Sequence, residues 1–139
     1  MDAITKALQV AINAHKGQTD KGGGAYIFHP VTVALHVKTD DEKTVALLHD
    51  VVEDTDTTLN DLRAMGFSET VVQAVDAVTR RPDELRDDYL HRVKANAIAT
   101  TVKIADLHHN SDLSRIPIPG EKDFARVAKY AAEIEFLES

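Results

Sequence analysis

Apolar residues recur at intervals of three and four along nearly the whole chain, and this spacing limits its possible folds more than any other feature. Residues 4–12 and 124–137 show the spacing most clearly. It places apolar side chains along one face of a helix. No internal repeat, low-complexity tract or linker interrupts the pattern, and 139 residues is an ordinary length for one domain. The sequence therefore predicts an all-α fold, with residues 1–139 forming a single compact helical bundle.

Helix start and stop signals place the predicted elements. Pro30 suits the first turn of a helix, Ser68 is a typical N-cap, and Gly66 is a typical helix end. The alternation of apolar residues over 31–37 is also compatible with a strand. The predicted helices cover residues 3–16, 30–37, 40–53, 57–66, 68–78, 82–94, 97–109 and 124–137.

Composition excludes several classes of protein. The chain has 16 Lys and Arg against 23 Asp and Glu, a formal net charge of −7 that argues against nucleic-acid binding. It has no cysteine, which excludes disulfides, thiolate zinc sites and cysteine nucleophiles. No apolar run approaches the ~18 residues of a membrane span, and the N-terminus does not have the form of a signal peptide. We expect a cytoplasmic protein that does not bind membranes.

The segment ALLHDVVEDT at residues 46–55 concentrates ionisable groups. On an ideal helix its imidazole and three carboxylates, His49, Asp50, Glu53 and Asp54, fall within an arc of about 140°. Like charges spaced four residues apart repel each other, and a divalent cation would compensate for them. The alternative interpretation is a solvated acidic face.

A second polar stripe lies in the segment KIADLHHN at residues 103–110. Lys103, Asp106 and Asn110 have the spacing of one helical face, and together they can complete a metal shell, hold a water molecule and meet a phosphate. A polar outer face is the alternative. His29 follows a glycine-rich loop at the mouth of a predicted helix, where a lone histidine is more often structural than a ligand.

Taken together, the segments supply two histidines and at least two carboxylates from three helices. Such mixed ligation suits Mn²⁺, Fe²⁺ or Zn²⁺ better than Mg²⁺ or Ca²⁺. A metal ion of this kind lowers the pKa of bound water and polarises a phosphoryl oxygen. The remaining carboxylates, Glu53 and Asp54, can act as general base or orient the water.

Three blocks of the chain resemble a known family. AHKGQTDKGGGAYIFHP, LLHDVVEDT and VKIADLHHN, within residues 14–110, are similar in content and order to motifs of the HD-domain metal phosphohydrolases. Within these, the blocks resemble the hydrolase domain of the RelA/SpoT family, and the chain length resembles that of the small alarmone hydrolases. The resemblance implies an HD-domain fold and removal of the 3′-pyrophosphate from (p)ppGpp, giving GDP or GTP plus pyrophosphate.

The resemblance also implies roles for individual residues. The implied Mn²⁺ ligands are His29, His49, Asp50 and Asp106. Glu53 and Asp54 would be the catalytic carboxylates that position and activate the attacking water. The implied substrate contacts are Lys21, Asn110 and Lys103.

One position departs from the family pattern. Asp20 stands where the family has an arginine that stacks on the guanine base. An acid would repel a polyphosphate, so two alternatives stay open. The first is an HD phosphohydrolase for another nucleotide: an adenine alarmone, a nucleoside monophosphate or NADPH. The second is a nucleotide-binding module without turnover. The oligomeric state is a separate question, and either a monomer or a homodimer is compatible with the valine-rich helix faces.

Overall fold

Nine helices joined by turns and loops make up the computed structural model, which describes all 139 residues and confirms the all-α prediction. Extended backbone pairs at one isolated bridge, between Thr19 and Ala25. The helices are α1 (Ala3–Ala14), α2 (Phe28–Leu35), α3 (Asp40–Leu48), α4 (Val51–Asp54), α5 (Leu59–Ala64), α6 (Glu69–Val78), α7 (Arg86–Lys94), α8 (Ala97–Asn110) and α9 (Glu121–Glu138).

The larger hydrophobic core surrounds α3, which packs against α1, α2, α6 and α8. Seventeen buried residues form this core, among them the fully buried Val45, Leu48 and Val102. Every α3 residue from Thr44 to Leu48 is buried, so the C-terminal end of α3 lies inside the molecule. Polar groups that follow it must find hydrogen-bond partners there, because an unpaired buried polar group is costly.

A smaller core of eight buried residues lies between α7, α8 and α9. Tyr89 is its largest fully buried side chain, and its hydroxyl donates a 2.6 Å hydrogen bond to the Val78 carbonyl. An ion pair of 2.7 Å between Arg86 and Glu133 joins α7 to α9. α8 contributes Leu107 to this core and Val102 to the larger one, and therefore connects the two.

The prediction of one continuous helix over residues 40–53 was wrong, because the helix breaks after Leu48. In a continuous helix the Ala46 carbonyl would accept the backbone N–H of Asp50. Instead it accepts a 2.6 Å hydrogen bond from Nδ1 of the His49 ring. The backbone of Asp50, at φ −104° and ψ −3°, departs from ideal α-helical angles, and the short α4 begins at Val51.

Two other expectations from the sequence concern the conformation of residues 31–37 and the residue at which α7 begins. Residues 31–37 are not a strand, since α2 covers most of them and buries the face that contains His29 and Val33. The prediction that a helix begins at Pro82 was wrong, because α7 begins at Arg86. The Glu84 carboxylate accepts a 2.6 Å hydrogen bond from Arg92 Nε and a 3.3 Å one from the Arg81 backbone, which holds the intervening residues in a turn.

None of the nine helices combines the length and the apolar character needed to cross a bilayer.

Candidate metal centre

Two buried histidines and an aspartate converge where α2 meets the break between α3 and α4. His29 lies in α2, whereas His49 and Asp50 occupy the break itself, and both histidines are only 3% exposed. One potential ligand atom from each of the three residues lies within 4.8 Å of the others. This group can therefore hold a metal ion.

Asp106 joins the cluster from α8. Its Oδ1 lies 2.8 Å from His29 Nε2 and 3.2 Å from His49 Nε2. Two neighbours on α8 hold the carboxylate: Lys103 Nζ donates to Oδ2 at 2.9 Å, and Asn110 Nδ2 donates to Oδ1 at 3.0 Å. Burial alone would raise the pKa of Asp106, but Lys103 and the histidines hold it well below its usual value.

The ring of His49 is oriented by the chain break. Its Nδ1–H donates to Ala46, so Nε2 faces Asp50 Oδ2 at 3.1 Å as well as Asp106. Burial alone would lower the pKa of His49, but these two carboxylates raise it well above its usual value. The negative charges of Asp50 and Asp106 are therefore stabilised by a positive charge near His49 Nε2, which either a protonated ring or a bound cation can supply.

His109 supports His29 from the other side, which the sequence analysis did not predict. The two Nδ1 atoms are 2.7 Å apart and the rings are stacked, with centroids 5.0 Å apart. Burial and the nearby charge of Arg115 lower the pKa of His109 to about 4. His109 is thus neutral at pH 7 and can accept the Nδ1 proton of His29. The sequence signal that could have indicated His109 was its position beside Asn110.

Tyr26 is a second contact that the sequence analysis missed. Its hydroxyl donates to Asp50 Oδ2, and burial together with the Asp50 charge raises the pKa of Tyr26 far above its usual range. Tyr26 consequently stays protonated and remains a donor. The buried ring of His15 packs on the ring of Tyr26, with centroids 4.9 Å apart. Tyr26 lies in the turn that leads into α2, three residues before His29, and this proximity was the one available signal.

The two predicted catalytic carboxylates lie on the exposed side of α4. Glu53 Oε1 accepts a 2.8 Å hydrogen bond from the backbone N–H of Arg80, which fixes it against the loop after α6. Partial burial and the negative charges of Asp50 and Glu53 raise the pKa of Asp54 to about 6.

A cavity of about 250 Å³ adjoins the cluster. His29 and Tyr26 line it together with two of the predicted substrate contacts, Lys21 and Asn110. The third, Lys103, is not part of the lining; its ammonium contacts Asp106 and lies 5.4 Å from the centre of the Tyr89 ring. The structure thus brings the four predicted ligands, Lys103 and Asn110 into one network and puts Lys21 beside it.

Comparison with known proteins gives matches over most of the chain. The HD domain family matches residues 7–106. The guanosine-3′,5′-bis(diphosphate) 3′-pyrophosphohydrolase MESH1 of Danio rerio is 34% identical over 126 residues, covering 81% of this chain and 69% of the relative. A protein of Borreliella burgdorferi, named guanosine-3′,5′-bis(diphosphate) 3′-pyrophosphohydrolase, is 33% identical over 132 residues, 83% of this chain.

The bacterial relatives are much longer than this chain, which spans 12% of the similarly named Vibrio cholerae protein and 20% of the Borreliella burgdorferi one. A solved structure shares the fold with a TM-score of 0.80, covering 99% of this chain and 85% of that one at 23% identity. That protein is described as a metazoan orthologue of SpoT that hydrolyses ppGpp and plays a role in starvation responses.

Proposed function

Since this chain belongs to the HD-domain family, we propose that it is a manganese-dependent hydrolase that removes the 3′-pyrophosphate of guanosine 3′,5′-bis(diphosphate). The observation that carries the proposal is the convergence of His29, His49, Asp50 and Asp106 beside a cavity lined by Lys21 and Asn110. The activity named for the MESH1 relative supports the choice of substrate.

The donor set fits a divalent cation. Nδ1 of His49 bonds the Ala46 carbonyl, and the His29–His109 contact allows the same arrangement in His29, so that each Nε2, which faces carboxylate oxygens, would be available to a cation. Imidazole and carboxylate ligands together favour Mn²⁺, with Fe²⁺ or Zn²⁺ also accepted. When bound, such an ion supplies an acidified water molecule and a polarised phosphoryl oxygen.

Glu53 and Asp54 handle the proton in the proposed reaction. Water adds to the phosphorus bound to the 3′ oxygen, the bond between them breaks, and GDP and pyrophosphate leave. Asp54, with a pKa of about 6, is mostly ionised at pH 7 yet basic enough to accept the proton of that water. Glu53 is held by Arg80 and orients the same water.

The substrate contacts divide into two kinds. Lys21 and Asn110 line the cavity, so we assign them to the substrate phosphates and to the nucleotide, respectively. Lys103 as a phosphate contact stays a prediction from the sequence; its 2.9 Å contact supports a role in holding Asp106.

The expected cytoplasmic location and the monomeric or homodimeric state also stay predictions.

A second candidate function is hydrolysis of another nucleotide, such as an adenine alarmone, a nucleoside monophosphate or NADPH. Asp20 favours it, because this carboxylate lines the cavity beside Lys21. Comparing turnover of guanine and adenine substrates separates the two candidates.

The test measures pyrophosphate release from ppGpp by metal-stripped protein to which Mn²⁺ is restored. We expect release by the wild type and a loss of about 10²-fold or more in the Glu53→Gln/Asp54→Asn variant, the usual contribution of a general base. Glu69→Gln is the matched control, since Glu69 is an exposed carboxylate paired with Arg63 outside the centre. Tight Mn²⁺ binding without release from any nucleotide would contradict the proposal and favour a binding module.

A further inference from the structure

We propose that Arg115, held in place by Asp20, is a specificity-determining residue that binds the 5′-phosphate groups of the nucleotide. This inference rests on the proposed function for the identity of the nucleotide. It concerns two adjoining walls of the cavity, which come from residues 19–22 and residues 110–116.

Asp20 and Arg115 form the ion pair that joins these walls. Arg115 Nη1 donates to Asp20 Oδ2 at 3.0 Å, although the two residues are 95 positions apart. The backbones also meet, since a Cβ atom added at Gly22 would lie 2.5 Å from the Arg115 carbonyl oxygen. Both the side chain and the backbone of Arg115 are thus fixed against the loop.

The two oxygens of Asp20 have separate tasks. Oδ1 accepts the backbone N–H groups of Gly22 and Gly24, each at 2.9 Å, and orders the loop. Oδ2 binds Arg115. The hydrogen bonds from Gly24 and Gly22 and the charge of Arg115 hold the pKa of Asp20 below its usual value. The acid that would repel a polyphosphate is therefore neutralised by an arginine of the same cavity.

Arg115 keeps most of its binding capacity free. A guanidinium has five N–H donors in a planar fork, and the bond to Asp20 is the one hydrogen bond that this guanidinium makes in the structure. Its side chain is 36% exposed, whereas that of Asp20 is 15% exposed. The planar fork of an arginine side chain can donate two parallel hydrogen bonds to the oxygens of a phosphate group. His29 lies in the same lining, so we assign the reacting 3′ group to the side of the candidate centre and the 5′ phosphates to Arg115.

Two substitutions separate the guanidinium from the order of the loop. Arg115→Gln removes the charge and the fork. Asp20→Asn keeps an amide oxygen for Gly22 and Gly24 but cannot accept from Arg115 through its NH₂ group. We expect Arg115→Gln to raise KM for ppGpp about tenfold or more, the effect of losing one charge-assisted hydrogen bond. Arg63→Gln, at an exposed arginine–glutamate pair outside the cavity, is the control.

The double variant gives a non-additive prediction. In Arg115→Gln the Asp20 charge is left unpaired and repels the substrate, so adding Asp20→Asn should lower KM again rather than raise it further. A structural role would instead make the double variant worse than either single one. Additive losses, or an unchanged KM in Arg115→Gln, would overturn the inference.

A binding measurement keeps this inference separate from the reaction. Titration calorimetry with GDP and with guanosine needs no turnover, and Arg115→Gln should weaken GDP about tenfold while leaving guanosine unchanged. Equal weakening of both ligands would show that Arg115 does not recognise phosphate. If the wild type released no pyrophosphate, the proposed function would fail, and the GDP titration would still decide the role of Arg115.

Discussion

At the scale of single residues, the candidate centre depends on partners that turn each ligand atom toward the others. Ala46 accepts the Nδ1 proton of His49, and His109 faces Nδ1 of His29 at 2.7 Å. In each ring the nitrogen that faces the carboxylates is then free to bind a cation. Outer contacts of this kind set the tautomer and the angle of a metal-binding imidazole.

His109→Ala should therefore weaken Mn²⁺ binding about 10- to 100-fold, the usual cost of losing such a partner. The measurement is titration of the metal-stripped protein followed by the electron paramagnetic resonance signal of free Mn²⁺. His108→Ala is the matched control, because His108 is the exposed neighbour on the same helix. Wild-type affinity in His109→Ala would show that His29 needs no partner at Nδ1.

At the scale of helices, local signals predicted starts better than breaks. Ser68 was expected as an N-cap, and its hydroxyl accepts a backbone N–H at the start of α6; Thr58 does the same for α5, which lies within the helix predicted over 57–66. These signals are local, because the cap side chain and the backbone N–H that donates to it lie three residues apart. The break at His49 could not be predicted in this way, since the ring that bonds Ala46 through Nδ1 also faces Asp106, 57 residues away, through Nε2.

The same distinction applies to the candidate site. The four predicted ligands were implied by the resemblance to the HD-domain motifs, and their side chains meet in the structure. Tyr26 and His109 were missed because the residues that they contact lie 24 and 80 positions away along the chain. The Asp20–Arg115 pair spans 95 residues and has no local signal at all.

The connection before α7 gives a pH-dependent prediction. Hydrogen bonds from Arg92 and the Arg81 backbone lower the pKa of Glu84 to about 2, from an ordinary value near 4.5. The unfolded chain binds this proton more readily, so Glu84 stabilises the fold fully above about pH 4.5 and loses that effect as the pH falls through 2. The difference in unfolding free energy between wild type and Glu84→Gln should follow this course.

Thermal unfolding followed from pH 7 to pH 2 measures that difference. We expect Glu84→Gln to lower Tm at pH 7 by about 2–4 °C, as for a well-formed pair near the surface, and to match the wild type near pH 2. Glu135→Gln, at an exposed carboxylate of α9 that forms no ion pair, should show no such trend. A deficit that stayed constant with pH would assign the effect to packing rather than to the Glu84 charge.

At the scale of the whole molecule, α8 links the two hydrophobic cores and also holds Asp106. Val102 belongs to the larger core and Leu107 to the smaller one, so Asp106 lies between residues that anchor both. Loosening either core would thus move a ligand of the candidate centre. This shared helix is the physical reason to expect one domain over residues 1–139.

One domain should unfold in one cooperative transition. Leu62→Ala in the larger core and Leu90→Ala in the smaller one each remove a buried side chain, at a cost of about 2–5 kcal/mol. If the cores unfold together, both variants lower the same transition, and the calorimetric enthalpy equals the van't Hoff enthalpy. Differential scanning calorimetry of the two variants and the wild type measures this. Two separate transitions, with Leu90→Ala shifting only one of them, would show that α8 joins two independently folding units.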